Sequence, residues 1–192
     1  MTPLTELLQA WQLGDKQAES QLINLVEGEL RRLAHQALQQ ESHPKQFQTT
    51  EMLSELYLRL NDQNPNIQWQ NRNQFFGFTS RILRQILVDA HRHRNATKRG
   101  SQFPHLVFES DLIMHNREPI DFLALHEALE VFEGLDPEKG KMVEMRFFGG
   151  MTHEQVAEAL NISTATAKRG WRVAQAWLLN YLKTQKHEES RT

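Results

Sequence analysis

Apolar residues recur every three to four positions along most of the chain, which is the spacing of amphipathic helices. In residues 18–38, for example, Leu22, Val26, Leu30 and Leu33 fall on one face. β-branched residues never alternate with polar ones at a period of two, so no strand is predicted. The fold class that this pattern predicts is all-α. Its helices are expected over residues 4–13, 18–38, 49–60, 75–94, 120–135, 136–148, 152–160 and 163–183.

The periodicity fades between residues 100 and 119, where Gly100, Pro104 and Pro119 interrupt it. Glycine and proline at such spacing are typical of a connecting segment. We therefore predict two small helical domains joined by a flexible linker. A four-helix domain would span residues 1–99, the linker 100–119, and a second domain 120–192.

Several classes of protein are excluded by what the sequence lacks. No apolar run approaches the ~18 residues of a membrane span, and residues 1–11 lack a signal peptide's basic-then-apolar order, so a cytoplasmic protein is expected. The chain has no cysteine, which rules out disulfides and thiolate metal sites. His91 and His93 lie two positions apart and would not converge on one metal. With no glycine-rich phosphate loop and no Ser/His/Asp set in context, we expect neither an enzyme nor a cofactor.

The net charge is only −2, but the charges are unevenly distributed. Residues 81–99 contain six Lys or Arg against one acid, and residues 163–187 contain five and no acid. Ten acids lie between them, in residues 109–144. Two basic blocks on separate domains suggest two surfaces that face phosphates.

Residues 151–182 have the pattern of a helix-turn-helix. Thr152 and Gln155 fit a capping box, Asn161 suits the turn, and Ser163 suits the start of the next helix. On that helix the apolar face contains Ala167, Trp171, Ala174, Leu178 and Tyr181, with basic residues opposite. Small and basic residues at the start of a second helix favour entry into the DNA major groove. An ordinary helical hairpin with a solvated basic face would give the same pattern. The candidate DNA contacts are Thr164, Thr166, Lys168, Arg169 and Arg172.

The predicted helix at 49–60 carries one leucine on the wrong face. Leu58 lies among Thr50, Glu51, Ser54 and Glu55, opposite the apolar face. An apolar residue surrounded by acids and hydroxyls suggests a protein-docking patch. The alternative is an ordinary exposed leucine, which is common on protein surfaces.

Aromatic, amide and basic residues crowd together just before the first basic block. Such a mixture suits single-stranded DNA, because aromatic rings stack on bases and arginines hold phosphates. Phe75, Phe76 and Phe78 are better explained as core residues. The candidate contacts here are Trp69, Asn71, Arg72 and Asn73, with Arg81, Arg84, Arg92 and Arg94 on phosphates.

Three segments, in order, resemble the extracytoplasmic-function (ECF) sigma factors. Residues 55–60 (ELYLRL) resemble the helix that binds core RNA polymerase, and residues 81–89 (RILRQILVD) resemble the −10 helix. Residues 146–152 (RFFGGMT) with 165–171 (ATAKRGW) resemble the −35 reader. The resemblance implies a sigma-2-like domain, a sigma-4-like helix-turn-helix domain, and a function in promoter recognition and opening. Its implied polymerase contacts are Glu51, Ser54, Glu55, Leu58 and Arg59.

Residues 48–51 depart from the family pattern. Typical members have Asp-Ala-Glu-Asp there, whose acids engage a basic coiled coil of the polymerase, whereas this chain has Gln-Thr-Thr-Glu. The segment resembles a subgroup that Ser/Thr kinases activate. The resemblance implies a kinase partner and phosphorylation of Thr50, with Thr49 as the competing acceptor.

Two other functions fit parts of the pattern. A one-component transcription regulator with a ligand-binding N-terminal domain explains the helix-turn-helix, but it has no use for the basic helix at 81–99. A helical adaptor or anti-sigma-like binding protein has no use for the basic residues at 168–172.

Overall fold

A computed structural model describes residues 3–39, 49–63, 69–97, 105–106 and 120–189. The helices are α1 (Pro3–Gln12), α2 (Lys16–Gln39), α3 (Thr49–Gln63), α4 (Arg72–Thr97), α5 (Phe122–Leu135), α6 (Pro137–Phe147), α7 (His153–Leu160) and α8 (Thr164–Glu189). The all-α prediction is confirmed. The predicted linker falls largely outside the described residues.

Two helices begin earlier than their apolar pattern predicts, because polar side chains cap them. Asp15 Oδ1 accepts hydrogen bonds from the backbone N–H groups of Gln17 (2.8 Å) and Ala18 (3.1 Å), so α2 starts at Lys16. Asn71 Oδ1 accepts from the N–H of Gln74 at 2.9 Å, so α4 starts at Arg72. Such caps satisfy N–H groups that have no partner within the helix.

A short antiparallel pair also forms, between β1 (His105–Leu106) and β2 (Ile120–Asp121). The prediction that no strand occurs is therefore wrong in this detail. Each strand has two residues, which is too short to give the alternation that identifies a strand in sequence. The pair lies near the two ends of the predicted linker.

The N-terminal half packs α1 on α2, and packs α2 and α4 on α3. In the C-terminal half, α5, α6 and α8 pack on one another, and α7 packs on α8. The second half also has a small cluster of its own beneath the helix-turn-helix, which includes Met142, Met151, Val156 and Ala167. Each half thus has the amphipathic packing that its periodicity predicts.

The two halves are not separate in this structure, because α4 also packs on α5, α6 and α7. A single cluster of buried residues runs from Leu4 in α1 to Leu178 in α8. At the contact the His91 ring stacks on Phe122, with ring centroids 4.6 Å apart. The proposed boundary between the domains stays a prediction.

Small residues allow the close approach of the two halves. A Cβ atom on Gly77 of α4 would lie 2.5 Å from Met145 Cε of α6. One on Gly149 would lie 2.2 Å from Ser80 Oγ of α4 and 2.6 Å from the Met145 carbonyl. Both distances are shorter than ordinary contacts, so glycine at these positions permits the packing.

Candidate nucleic-acid and polymerase interfaces

The helix-turn-helix is formed by α7, the turn at 161–163 and α8. Thr152 Oγ1 accepts from the N–H of Gln155 (3.2 Å), and Gln155 Oε1 accepts from the N–H of Thr152 (2.8 Å), which completes the predicted capping box. Asn161 adopts the left-handed conformation, with φ 55°. Ser163 Oγ accepts from the N–H of Thr166 at 3.1 Å and caps α8. The local structure predicted for this motif is confirmed.

The two faces of α8 are also as predicted. Ala167, Trp171, Ala174 and Leu178 are buried, and the basic side chains of Lys168, Arg169 and Arg172 are exposed. Gly170 lets the helix approach α6, since a Cβ there would meet Met142 Sδ at 2.5 Å. The basic face of α8 is therefore presented to solvent by packing on its opposite side.

Two of the candidate DNA contacts on α8, Thr166 and Lys168, have partners within the protein. The Thr166 hydroxyl is 2.8 Å from Ser163 Oγ, so it takes part in the cap as well as being a candidate DNA contact. Thr164 is half-buried. Lys168 Nζ lies 3.8 Å from Glu154, an exposed pair that contributes little to stability.

Arg146, at the end of α6, holds the motif in place and was not singled out from sequence. Its Nη1 donates to the Met151 carbonyl, and its guanidinium lies over the Trp171 ring, 5.3 Å from the ring centroid. Such cation–π contacts are attractive. Arg146 thereby ties α6 to the turn before α7 and to α8.

The predicted docking face on α3 is exposed. Leu58 is 63% exposed, as predicted. Beside it, Arg59 bonds to Glu55 at 2.7 Å and to Asp89 of α4 at 2.9 Å, which orders that side of the face. Whether this face binds polymerase stays a prediction.

Thr50 lies in the first turn of α3 and is exposed, whereas Thr49 is half-buried. The carbonyl of Thr50 accepts from Ser54 Oγ at 3.0 Å. Glu51 and Ser54 are exposed on the same helix. Gln48 lies outside the described residues. Of the two candidate acceptors, Thr50 is thus the more accessible.

Trp69 does not occupy the exposed position expected of it. It is 3% exposed and contacts Phe75 and Phe78 edge-on, with ring centroids 5.6 and 5.4 Å apart. Burial of its large apolar ring in the N-terminal core is more favourable than exposure. In this arrangement Trp69 is a core residue, as Phe75 is, and its contact with DNA stays a prediction.

The polar residues around Trp69 have three different environments. Arg72 is exposed, with its guanidinium 5.1 Å from the Phe76 ring centroid and 3.9 Å from Glu29. Asn71 caps α4 and donates to the carbonyl of Glu158 in α7 at 3.2 Å. Asn73, which is 8% exposed, donates to the Glu158 carboxylate at 2.7 Å.

The arginines of α4 that are expected to hold phosphates also differ in their exposure. Arg81 and Arg92 are exposed, while the side chain of Arg94 lies outside the described residues. Arg84 is 4% exposed and faces the C-terminal half. The sequence predicts that Arg84 contacts a phosphate. Its burial contradicts that prediction for this arrangement of the two halves.

The comparisons with known proteins concern the chain as a whole. The family model for ECF sigma factors matches residues 1–184, which include both halves and the connection between them. The chain belongs to the ECF sigma factor family. No curated protein matches the chain. Sigma factors of this family act in transcription initiation, with core RNA polymerase and promoter DNA as partners.

Two classes of feature are absent from the described part of the sigma factor. None of its described helices is long and apolar enough to cross a membrane. Among the same residues, no cluster of three or more His, Asp or Glu side chains could hold a metal ion.

Arg84 of the sigma factor lies between two carboxylates of its C-terminal half. Its Nη1 and Nη2 donate to the two oxygens of Glu133 in α5, at 2.9 and 3.2 Å. Its Nε lies 3.1 Å from Glu144 Oε1 in α6, as a close ion pair without hydrogen-bond alignment. A buried guanidinium requires such partners, because desolvation of an unpaired charge is costly.

Burial raises the pKa of Glu144 to about 7, against the opposing effect of Arg84. Desolvation also lowers the pKa of the nearby His126, a buried residue of α5. The two effects have opposite consequences for stability as the pH changes. The contact between the halves of the sigma factor therefore contains two ionisable groups with shifted pKa values, Glu144 and His126.

Sequence reasoning did not single out Glu133, Glu144 or Glu158. One signal was available for Glu144, which lies in the largely apolar stretch 142–147 of α6. An acid on the buried side of a helix needs a partner. Nothing in the sequence identifies that partner as Arg84, which lies sixty positions earlier along the chain.

Proposed function

We propose that this sigma factor reads −35 duplex DNA with α8, captures the −10 strand with residues of α4 and the preceding loop, and binds core polymerase through the exposed face of α3. The observation that carries the proposal is the exposed basic face of α8 within a fully capped helix-turn-helix. Basic side chains near the start of a second helix are placed for the major groove. The proposed contacts at −35 are Thr164, Thr166, Lys168, Arg169 and Arg172.

The proposed polymerase contact depends on Leu58, an apolar side chain exposed among polar ones. Leu58→Asp is expected to abolish copurification with core RNA polymerase while leaving the melting temperature within a few degrees. Leu13, which is 90% exposed and directly follows α1, provides the matched control. Leu13→Asp should retain polymerase binding. Equal binding by both variants would refute the assignment of this face.

Transcription in vitro tests the function itself. Purified core enzyme, the sigma factor and a library of random promoter sequences should yield transcripts that core enzyme alone does not produce. Sequencing of those transcripts would define the promoter elements. No sigma-dependent transcript, from unmodified or phosphorylated protein, would contradict the proposal.

We further propose that phosphorylation of Thr50 by a Ser/Thr kinase strengthens polymerase binding. The support is its exposure in the first turn of α3, where a helix N-terminus favours negative charge. A phosphate adds roughly −1.5 to −2 charge to a segment that has fewer acids than the family pattern.

Polymerase affinity is to be measured for the wild type, Thr50→Ala and Thr49→Ala, each with and without kinase treatment. Phosphate should raise the affinity of the wild type and of Thr49→Ala but not of Thr50→Ala. Loss of the response only in Thr49→Ala would assign the acceptor to Thr49. Unmodified protein that binds strongly and does not respond to phosphate would contradict this regulation. Thr50→Glu should mimic it incompletely, since Glu carries a single charge.

A further inference from the structure

Three aromatic rings at and just before the start of α4 form a buried row, and Arg72 covers one end of it. Ring centroids are 5.6 Å apart between Trp69 and Phe75 and 5.2 Å apart between Phe75 and Phe76, both edge-on. Such edge-to-face contacts are attractive and orient the rings. The Arg72 guanidinium lies over the Phe76 ring, 5.1 Å from its centroid. Arg72 therefore rests on a ring that the core holds in place.

A carboxylate of α2 lies beside the same guanidinium. Glu29 Oε2 is 3.9 Å from Arg72 Nη2, while Glu29 Oε1 accepts a hydrogen bond from Arg32 Nη2 at 2.9 Å. The distance to Arg72 is too long for a hydrogen bond, so the attraction is electrostatic. Arg72 is thus held from two directions, by a ring and by a carboxylate. Its side chain nevertheless keeps 54% of its surface exposed.

A guanidinium held over a ring is suited to stacking on a base. The group is planar and delocalised, and it stacks on aromatic faces, including those of unpaired bases. In a duplex each base is covered by its neighbours, whereas a single strand can turn a base outward. A phosphate needs only charge and hydrogen-bond donors, so a phosphate contact does not require the ring beneath Arg72.

The other candidate contacts of this segment are less accessible than Arg72. Trp69 and Asn73 are buried, Asn71 is half-buried, and Arg72 is exposed. The amides of Asn71 and Asn73 also donate to Glu158. In this arrangement the accessible planar group of the segment belongs to Arg72, and the aromatic rings lie beneath it.

We infer that Arg72 stacks on one unpaired base of the −10 strand, with the Phe76 ring on its other side and Glu29 as a positioning residue. The inference rests on the proposed function, which brings that strand to the start of α4. Stacking accepts every base. Arg72 therefore fixes where the strand lies, and the identity of the base is read by other groups.

Three variants separate stacking from a contact of charge alone. Arg72→Lys keeps the positive charge and removes the planar group, so it retains a phosphate contact but not a stack. Arg31→Lys of α2 is the matched control, because the Arg31 side chain is 51% exposed and also pairs with a glutamate, Glu27, at 3.0 Å. Glu29→Gln removes the positioning charge and leaves every proposed DNA contact intact.

The measurement is the affinity of core polymerase with the full-length sigma factor for a promoter fragment whose −10 segment is single-stranded. A series of fragments lacks one base each, at successive positions of that segment. Arg72→Lys should bind the intact fragment about tenfold less tightly than the wild type and the control. At one position, removal of the base should cost the wild type and the control about tenfold and should cost Arg72→Lys nothing further. Such non-additivity identifies a direct contact.

Glu29→Gln should lose about threefold, as expected for an exposed ion pair, and only while the base at that position is present. A loss spread evenly over all fragments would overturn its positioning role. Intact-fragment affinity that Arg72→Lys shares with the wild type would assign Arg72 to a phosphate and overturn the stack, as would base-removal profiles of the same shape in both proteins. A wild-type complex that does not prefer the promoter fragment to a scrambled one would instead contradict the proposed function.

Discussion

Two basic helices, α4 and α8, have similar charge patterns in the sequence and different environments in the structure. The basic residues of α8 lie on the face opposite its buried stripe and are exposed. On α4, Arg81 and Arg92 are exposed as well, but Arg84 is buried against two acids of the other half. The difference shows that the sequence identifies a basic side chain that needs an anionic partner. It does not show whether that partner is DNA or an acid of the protein itself.

The largest effect is expected where the arginine is buried. Arg84→Ala leaves Glu133 and Glu144 without their cation, and breaking a buried pair typically costs about 3–5 kcal/mol. Urea denaturation should show a loss of this order. Arg81→Ala, at an exposed position of the same helix, should change the free energy of unfolding by less than about 0.5 kcal/mol. Similar losses for both variants would remove the distinction between the two environments.

The pH dependence of stability sharpens the comparison. Because burial raises the pKa of Glu144 from 4.5 to about 7, its protonated form stabilises the folded state. That contribution is full below pH 4.5 and is lost as the pH rises to 7, a change of up to about 3 kcal/mol. Glu144→Gln should therefore gain stability relative to the wild type between pH 5 and 8, in denaturation series at each pH.

The groups facing Glu144 are Arg84 and Arg81 of α4, Glu133 of α5 and Lys141 of its own helix. His126 acts in the opposite direction, because its lowered pKa makes the folded state less stable as the pH falls. The comparison with Glu144→Gln isolates one group, since His126 is present in both proteins. A difference between the two that does not vary with pH would contradict the assignment. Glu138→Gln, an exposed change in α6, should parallel the wild type.

The smallest effect on stability, and a specific effect on binding, is expected on α8. Arg169→Ala and Arg172→Ala should leave the free energy of unfolding within about 0.5 kcal/mol and cost about 1–3 kcal/mol in binding where the residue reads a base. Promoter binding at several salt concentrations is the measurement. A contact to phosphate would instead weaken all sequences alike and lower the salt dependence. Unchanged binding and salt dependence in both variants would show that α8 does not face DNA.

Much of the local structure follows from sequence because it depends on neighbours in the chain. The capping box of Thr152 and Gln155, the left-handed Asn161 and the cap at Ser163 need only groups within four residues of each other. The exposure of Leu58 follows from its position on a helical wheel. The contacts proposed for DNA and polymerase stay predictions.

Trp69 shows where the same reasoning fails. Its aromatic ring suits a stacked base and a core equally, and its sequence position among amides and arginines favoured the base. The structure places it edge-on to Phe75 and Phe78. Burial of the ring depends on tertiary contacts with Phe75 and Phe78 of α4, which no periodic pattern reveals.

The sequence by itself determined the helices, their caps and the faces that are buried, because period and capping are properties of neighbouring residues. It also determined the family, since ordered motifs over residues 1–184 are matched as a whole. Only the tertiary structure decided that α4 lies against α5, α6 and α7, and that Arg84 meets Glu133 and Glu144. Those partners are about fifty to sixty residues away along the chain. Charges so far apart meet only when packing brings their helices together, and every acid between them was an equally good partner by sequence.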